Sequence, residues 1–262
     1  MRFCPIASGS SGNCVYVGAG ESHSLVDAGL SGKRIEEALG LLEIPRLTGI
    51  LVTHEHSDHI LGAGVISRRF KVPIFATPNT WRYFLRHGTI GTIAPELQRI
   101  IVPGEAMLMD GIEVLPFDIP HDSSQPVGFC LFADGYKAAI ATDLGYATDT
   151  VTRLLRDTHV LLLECNHDIE MLQNGRYPRS LKERVMGHRG HLSNVAAGAL
   201  LAEIATDTLE HVFLGHLSEE NNRPMIALDT VQRILEVNNV TIKGISVAER
   251  HIPSEMIQLN PA

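Results

Sequence analysis

The chain has 262 residues, 44% of them hydrophobic, and a formal net charge of −8. That is apolar material for a sizeable core, and with no Pro/Ser-rich linker or internal repeat a single domain over 1–262 is expected. No apolar run approaches the roughly 20 residues of a membrane span, no h-region marks a signal peptide, and the acidic balance excludes a generally cationic surface for nucleic acid. Cys4, Cys14, Cys130 and Cys165 are scattered without a CxxC pair. Such usage fits reduced thiols in a cytoplasm better than a disulfide frame.

In chain order, residues 7–14 (ASGSSGNC) read as a Gly/Ser turn between two short strands, the second over 14–17. The turn is either a hairpin loop or a neighbour of a functional site. A short strand from Ser24 ends at Asp27, and 31–42 is an amphipathic helix with Ser31 as N-cap. The β-branched, apolar run 47–53 reads as a buried strand. It leads into His54-Glu55-His56-Ser57-Asp58-His59, after which apolar residues at 60, 61, 65, 66 and 70 fit a helix. Imidazole and carboxylate suit borderline divalent metals. His54 and His56 are two apart, so in an extended segment their rings point to one side. Asp58 and His59 open the helix and turn the other way, so one turn can feed two adjacent ions.

Strand 73–76, helix 78–86 and two β pieces within 98–109 follow. An extended run over 112–119 enters Pro120-His121-Asp122. Strands 128–133 and 136–141 form a hairpin across Asp134-Gly135, and the second ends at Thr142-Asp143. Helix 149–156, buried strand 159–164, and short helices 168–172 and 180–186 come next. Ser193 or Asn194 caps a helix reaching 205, and strand 211–215 ends at His216. Asn222 is expected to cap helix 223–237, with Pro224 in its first turn, before a last strand over 241–247. Two packed sheets with helices on both outer faces fit this order. Four apolar strands thus end in a metal-type side chain: His54/His56, His121, Asp143 and His216. Alone, His121 is an ordinary turn residue, Asp143 a cap and His216 a core histidine; binding residues do, however, gather on loops at one end of a rigid sheet.

With Asp27 upstream, the pattern His54-x-His56-x-Asp58-His59 followed by His121, Asp143 and His216 resembles the metallo-β-lactamase superfamily over essentially the whole chain. Ser8-Gly-Ser-Ser-Gly-Asn-Cys14, Glu164-Cys-Asn-His-Asp168, Gly190-His-Leu-Ser-Asn194 and 216–222 (HLSEENN) resemble its YycJ/WalJ branch, which is similar to tRNase Z-type nucleases. The resemblance implies an α/β fold, a four-layer αββα sandwich of two mixed sheets. It implies two divalent ions, zinc first, with manganese or iron as alternatives. One ion would take His54, His56 and His121, the other Asp58, His59 and His216, with Asp143 bridging and Asp27 orienting the histidine loop. A metal-bridging hydroxide would be the nucleophile. Asp58, Glu164 and His191 are the catalytic candidates, His191 as general acid beside a buried Glu164.

Asn166, His167, Arg176, Arg179, Ser193 and Asn194 are candidate substrate contacts, and His188 reads as a surface residue. From Met171 to His191 five basic residues stand against the single acid Glu183. Such a stretch suits a phosphate backbone, or is simply a solvated helical face. The expected function is therefore a metal-dependent phosphodiesterase, an exonuclease on DNA. A small-molecule hydrolase of the same fold (lactone, thioester or cyclic phosphodiester) and a non-catalytic, metal-stabilised regulatory protein are the alternatives. No β-CASP-like domain or long exosite arm is recognisable, which weakens an RNA-maturation role. No membrane partner is expected, and the oligomeric state is left open, a homodimer included.

Overall fold

The structure, a computed structural model, describes residues 1–260. Its strands form two mixed seven-stranded sheets with helices beside them, and the residues divide into two compact units. Among the described residues no helix is long and apolar enough to cross a membrane.

Unit 1 holds 1–118, 123–136 and the chain from Glu249. It opens with the antiparallel meander β1 (Arg2–Ala7), β2 (Cys14–Ala19) and β3 (Ser22–Val26). Helix α1 (Gly32–Leu41) starts at Ser31, whose Oγ accepts from Arg34 N at 3.4 Å as the sequence predicts. β4 (Gly49–Leu51) then pairs in parallel with β3. The helix expected over 60–70 is two pieces, α2 (Ser57–Ile60) and α3 (Ala63–Phe70). The break falls at Gly62, whose N–H leaves the helix ladder for Ala28 O at 2.8 Å. A Cβ there would meet Leu30 O at 2.4 Å.

β5 (Ile74–Ala76), α4 (Pro78–His87) and β6 (Gln98–Ile100) extend the parallel half. Pro78 sits in the first turn of α4 and Gly88 ends it at φ 63°, the usual asymmetry of helix ends. β3, β4 and β5 are buried throughout, as parallel strands covered on both faces are. Leu25, Ile50 and Ile74 pack with Ile35, Ile66 and Trp81 in one core, each buried aliphatic contributing about 1.5–3 kcal/mol. β7 (Met107–Met109), β8 (Ile112–Asp118) and β9 (Val127–Ala133) form a second antiparallel run. It ends in a tight turn with Asp134 at φ 55° and Gly135 at φ 79°.

Unit 2 holds 119–122 and 137–248. β10 (Tyr136–Ala141), which enters it at Lys137, is followed by α5 (Asp149–Leu155), β11 (Val160–Glu164), α6 (Ile169–Asn174) and α7 (Arg179–Met186). Then come α8 (Asn194–Ile204), β12 (His211–Gly215), α9 (Pro224–Val237) and β13 (Gly244–Val247). The four strands are parallel in the order 10-11-12-13. In such a sheet, ligand-binding loops follow the C-terminal strand ends. Asn222 does not cap α9; Arg223 occupies that position without a side-chain bond. The Asn222 amide instead bonds Asn194 and the carbonyls of Cys165 and Asn166. A strand the sequence does not announce, β14 (Ile257–Gln258), returns to pair with β1 in unit 1.

Candidate metal centre

In unit 1 the histidine turn is organised by a carboxylate. Asp27 follows β3 at φ 60°, a left-handed position that stores strain and is tolerated best by Asp, Asn and Gly. Its Oδ1 accepts from Thr53 N at 2.8 Å, and its Oδ2 from Thr53 Oγ1 at 2.8 Å and His59 Nδ1 at 2.7 Å. The Thr53 hydroxyl spends its proton on Asp27, so its oxygen accepts from His54 Nδ1 at 3.0 Å. Both rings are therefore protonated at Nδ1 and keep a lone pair on Nε2, the tautomer a metal ligand needs. His54 Nε2 lies 2.9 Å from His56 Nδ1, and the His54 and His59 ring centroids are 4.2 Å apart.

The Gly/Ser turn is a neighbour of this cluster. Asn13 N donates to Asp58 O at 2.7 Å, and its Nδ2 lies 3.4 Å from Asp58 Oδ2 and 3.1 Å from His59 Nε2. The sequence offered Asn13 no role beyond its turn. Glu55, unassigned in the motif, accepts from Ser124 N and Oγ, both at 2.7 Å, and so anchors the 123–124 segment.

In unit 2 the organising carboxylate is Glu164, the fully buried last residue of β11. Its Oε1 accepts from His191 Nδ1 and His216 Nδ1, each at 2.8 Å. Its Oε2 accepts from Leu144 N at 2.7 Å and Leu192 N at 3.1 Å. Burial opposes the charge, but the His191 and His216 charges and hydrogen bonds outweigh it and hold the carboxyl well below the usual carboxylate range. His191 feels the reciprocal effect: burial lowers its pKa, the Glu164 charge and hydrogen bond raise it more, and the net shift is upward. Asp143 and His216 follow β10 and β12 at φ 57° and 54°, the same strained placement as Asp27. Asp143 Oδ1 is 3.6 Å from His121 Nε2 and from the Nδ1 atoms of His191 and His216. One donor atom from each of Asp143, Glu164, His191 and His216 lies within 4.8 Å of the others. His121 donates through Nδ1 to Gly190 O at 3.3 Å, leaving Nε2 toward Asp143. Burial lowers its pKa, which keeps a lone pair available. Both clusters fit a divalent metal, since their imidazoles are fixed in the ligating tautomer beside buried carboxylates.

The substrate candidates divide. Asn166 and Asn194 are buried and their amides are taken, Asn166 by His216 O and Asn194 by Asn222, so they belong to the framework and not to a solvent-facing contact surface. Ser193 caps α8 through a bond from Ala196 N. His167 is 2% exposed, and burial lowers its pKa to about 4. Arg179 is exposed and paired with Glu183 at 2.7 Å. Arg176 lines a cavity of about 650 Å³ with Met171, Glu219, Asn221 and Arg223. Within the basic stretch Arg184 is also matched, by Asp122.

Two mixed sheets with buried histidine–carboxylate clusters at their strand ends define a metal-dependent hydrolase fold. The Metallo-beta-lactamase superfamily model matches residues 7–188, and the chain belongs to that superfamily, as the sequence motifs imply. It is 39% identical over 251 residues to a protein named exodeoxyribonuclease YycJ from Bacillus anthracis, covering 95% of this chain and 92% of that one. It is 35% identical over 226 residues to exodeoxyribonuclease WalJ of Streptococcus pneumoniae (strain ATCC BAA-255 / R6), with 85% and 83% covered. Among solved structures, Zn(2+)-bound PqqB from Methylobacterium extorquens superposes with a TM-score of 0.74 at 17% identity, covering 97% and 100% of the two chains. The short form of human tRNase Z does so with a TM-score of 0.63 at 16% identity, covering 97% and 99% of the two chains. These likenesses carry the fold alone.

Proposed function

We propose that the chain is a two-metal-ion deoxyribonuclease that removes nucleotides from DNA ends. The observation that carries this reading is the Glu164 cradle, which holds His191 with one nitrogen on a buried carboxylate and the ring still 19% exposed. The names of the YycJ and WalJ relatives, both exodeoxyribonucleases, support DNA as the substrate. On this reading His54, His56, Asp58, His59, His121, Asp143 and His216 would be the residues that hold the two ions. Zinc is the first choice, with manganese or iron as alternatives. When bound, two such ions would supply Lewis acidity for the phosphodiester and an activated water.

The chain's own residues do the rest. Asp27 fixes the rings of His59 and, through Thr53, His54. Glu164 keeps His191 Nδ1 protonated and raises the basicity of the ring, so that Nε2 can carry a proton to the leaving oxygen. The cations of 171–191 without a carboxylate partner among the described residues, Arg176, Lys182 and Arg189, attract the phosphate backbone.

The test is hydrolysis of 5′- and 3′-labelled single- and double-stranded DNA and RNA. Metal-stripped protein is reloaded with manganese or zinc, and Asp58→Ala serves as control. Stepwise, metal-dependent loss of label from DNA that vanishes in the variant is expected. A protein that holds two ions and cleaves no nucleic acid, but hydrolyses a lactone, thioester or cyclic phosphodiester, overturns the reading.

A further inference from the structure

We infer that Tyr146 and Arg189 seat the terminal nucleotide of the DNA strand, the base stacking on the tyrosine ring and the phosphate meeting the guanidinium. The inference rests on the nuclease reading and names the feature of the substrate that is read.

Aromatic residues make up 5% of the chain, and most are interior, among them Phe3, Tyr16, Trp81, Phe117, Phe129 and Phe213. Tyr146 is 44% exposed, three residues beyond the ligand candidate Asp143. A single exposed aromatic is ordinary; this one is braced. Gly145 N bonds Pro120 O at 2.9 Å. A Cβ on Gly145 would lie 2.2 Å from His188 O and 2.9 Å from Arg189 N, so the backbone of this turn rests directly on the 188–189 backbone. The Tyr146 ring meets the His188 ring edge to face, centroids 5.4 Å apart at 87°. A ring already fixed loses little conformational freedom when a base stacks on it.

Arg189 supplies an independent observation. Its Nε and Nη2 both donate to His121 O, at 3.1 and 2.9 Å, which ties the guanidinium to the backbone of a ligand candidate. Its neighbours Arg179 and Arg184 are matched by Glu183 and Asp122. Arg189 has no carboxylate partner among the described residues, and its remaining N–H groups suit a phosphate oxygen. All these residues lie in unit 2. Stacking tolerates any base, because every base has a π-face; it requires only that the base has left the helical stack. The seat therefore recognises an end, not a sequence.

The experiment uses the metal-loaded protein and DNA strands whose last linkages are phosphorothioates, which slow cleavage and keep the charge. One set carries 2-aminopurine at the terminus and another a terminal abasic nucleotide. Binding to wild type should quench the 2-aminopurine; the quench should vanish in Tyr146→Ala and persist in Tyr146→Phe. The Kd should rise about tenfold in Tyr146→Ala, and Arg189→Ala should lower the salt slope of binding by about 1. The abasic terminus should bind wild type as weakly as an intact terminus binds Tyr146→Ala. An unchanged quench in Tyr146→Ala, or equal affinity of wild type for intact and abasic ends, overturns the inference. The abasic comparison needs no variant and decides even where Tyr146→Ala fails to fold. DNA bound and cleaved without any terminal response sinks this inference alone, whereas a wild type that does not engage DNA sinks the nuclease reading with it.

Discussion

The two units reach the same end by different chain economies. In unit 1, Asp27 takes three bonds, two of them from the adjacent Thr53, and the rings it steadies lie within 54–59. In unit 2, Glu164 takes four bonds from residues at 144, 191, 192 and 216. A local cluster can keep its shape if one strand shifts. The Glu164 cluster cannot, because its donors arrive on three separate segments, at 144, 191–192 and 216. The carboxylate that joins more of the chain should be the more important for stability, and the one beside the contiguous histidines the more specific to metal.

The largest expected effect is therefore in unit 2. Glu164→Ala leaves two ring N–H groups and two backbone N–H groups buried without their acceptor, and loss of one partner from a buried pair costs about 3–5 kcal/mol. Denaturant titration should show a lower midpoint with an unchanged slope, and a loss under about 1 kcal/mol would show that the loops do not depend on this carboxylate. Acid offers a second contrast within unit 2. Above pH 6.5 His167 is neutral in both folded and unfolded chains. Between 6.5 and about 4 the unfolded chain binds a proton that the buried ring refuses. Stability should therefore fall across that window by about 3 kcal/mol. Comparing wild type with His167→Gln in urea at pH 7, 5.5 and 4.5 isolates this contribution, since other titrating groups cancel; parallel losses in both proteins would remove it.

The same contrast explains what could be read from the sequence. The histidine turn was legible because its donors are contiguous, and the strand ends carrying Asp27, Asp143 and His216 stood out because apolar runs stop there. Local rules also placed Ser31 as a cap and the Asp134-Gly135 turn. Non-local facts were not legible. Asn13 reaches Asp58 and His59 across 45 and 46 residues, and nothing in a Gly/Ser turn announces that. Asn194 resembled a substrate contact at a helix start, yet its partner Asn222 is 28 residues away and buries it. The helix breaks at Gly62 because its N–H turns to the Ala28 carbonyl, which periodicity does not see.

The smallest expected effect bears on metal alone. Asp27→Asn keeps the shape of the side chain but replaces one acceptor oxygen by an NH2 group. With that group at the Oδ1 position it opposes Thr53 N; at the Oδ2 position it opposes both Thr53 Oγ1 and His59 Nδ1. The first orientation costs one bond and keeps the histidine, so the fold should survive. The ring then loses its anionic partner and becomes a weaker base, and loss of such a partner lowers metal affinity about 10–100-fold. Equilibrium dialysis with zinc against Asp27→Asn and Glu164→Gln measures the two carboxylates side by side. If affinity falls in the first while stability holds, Asp27 tunes the ligand. Unchanged affinity would mean that Asp27 serves the backbone through Thr53 N, and that both units use their carboxylates for the same structural purpose.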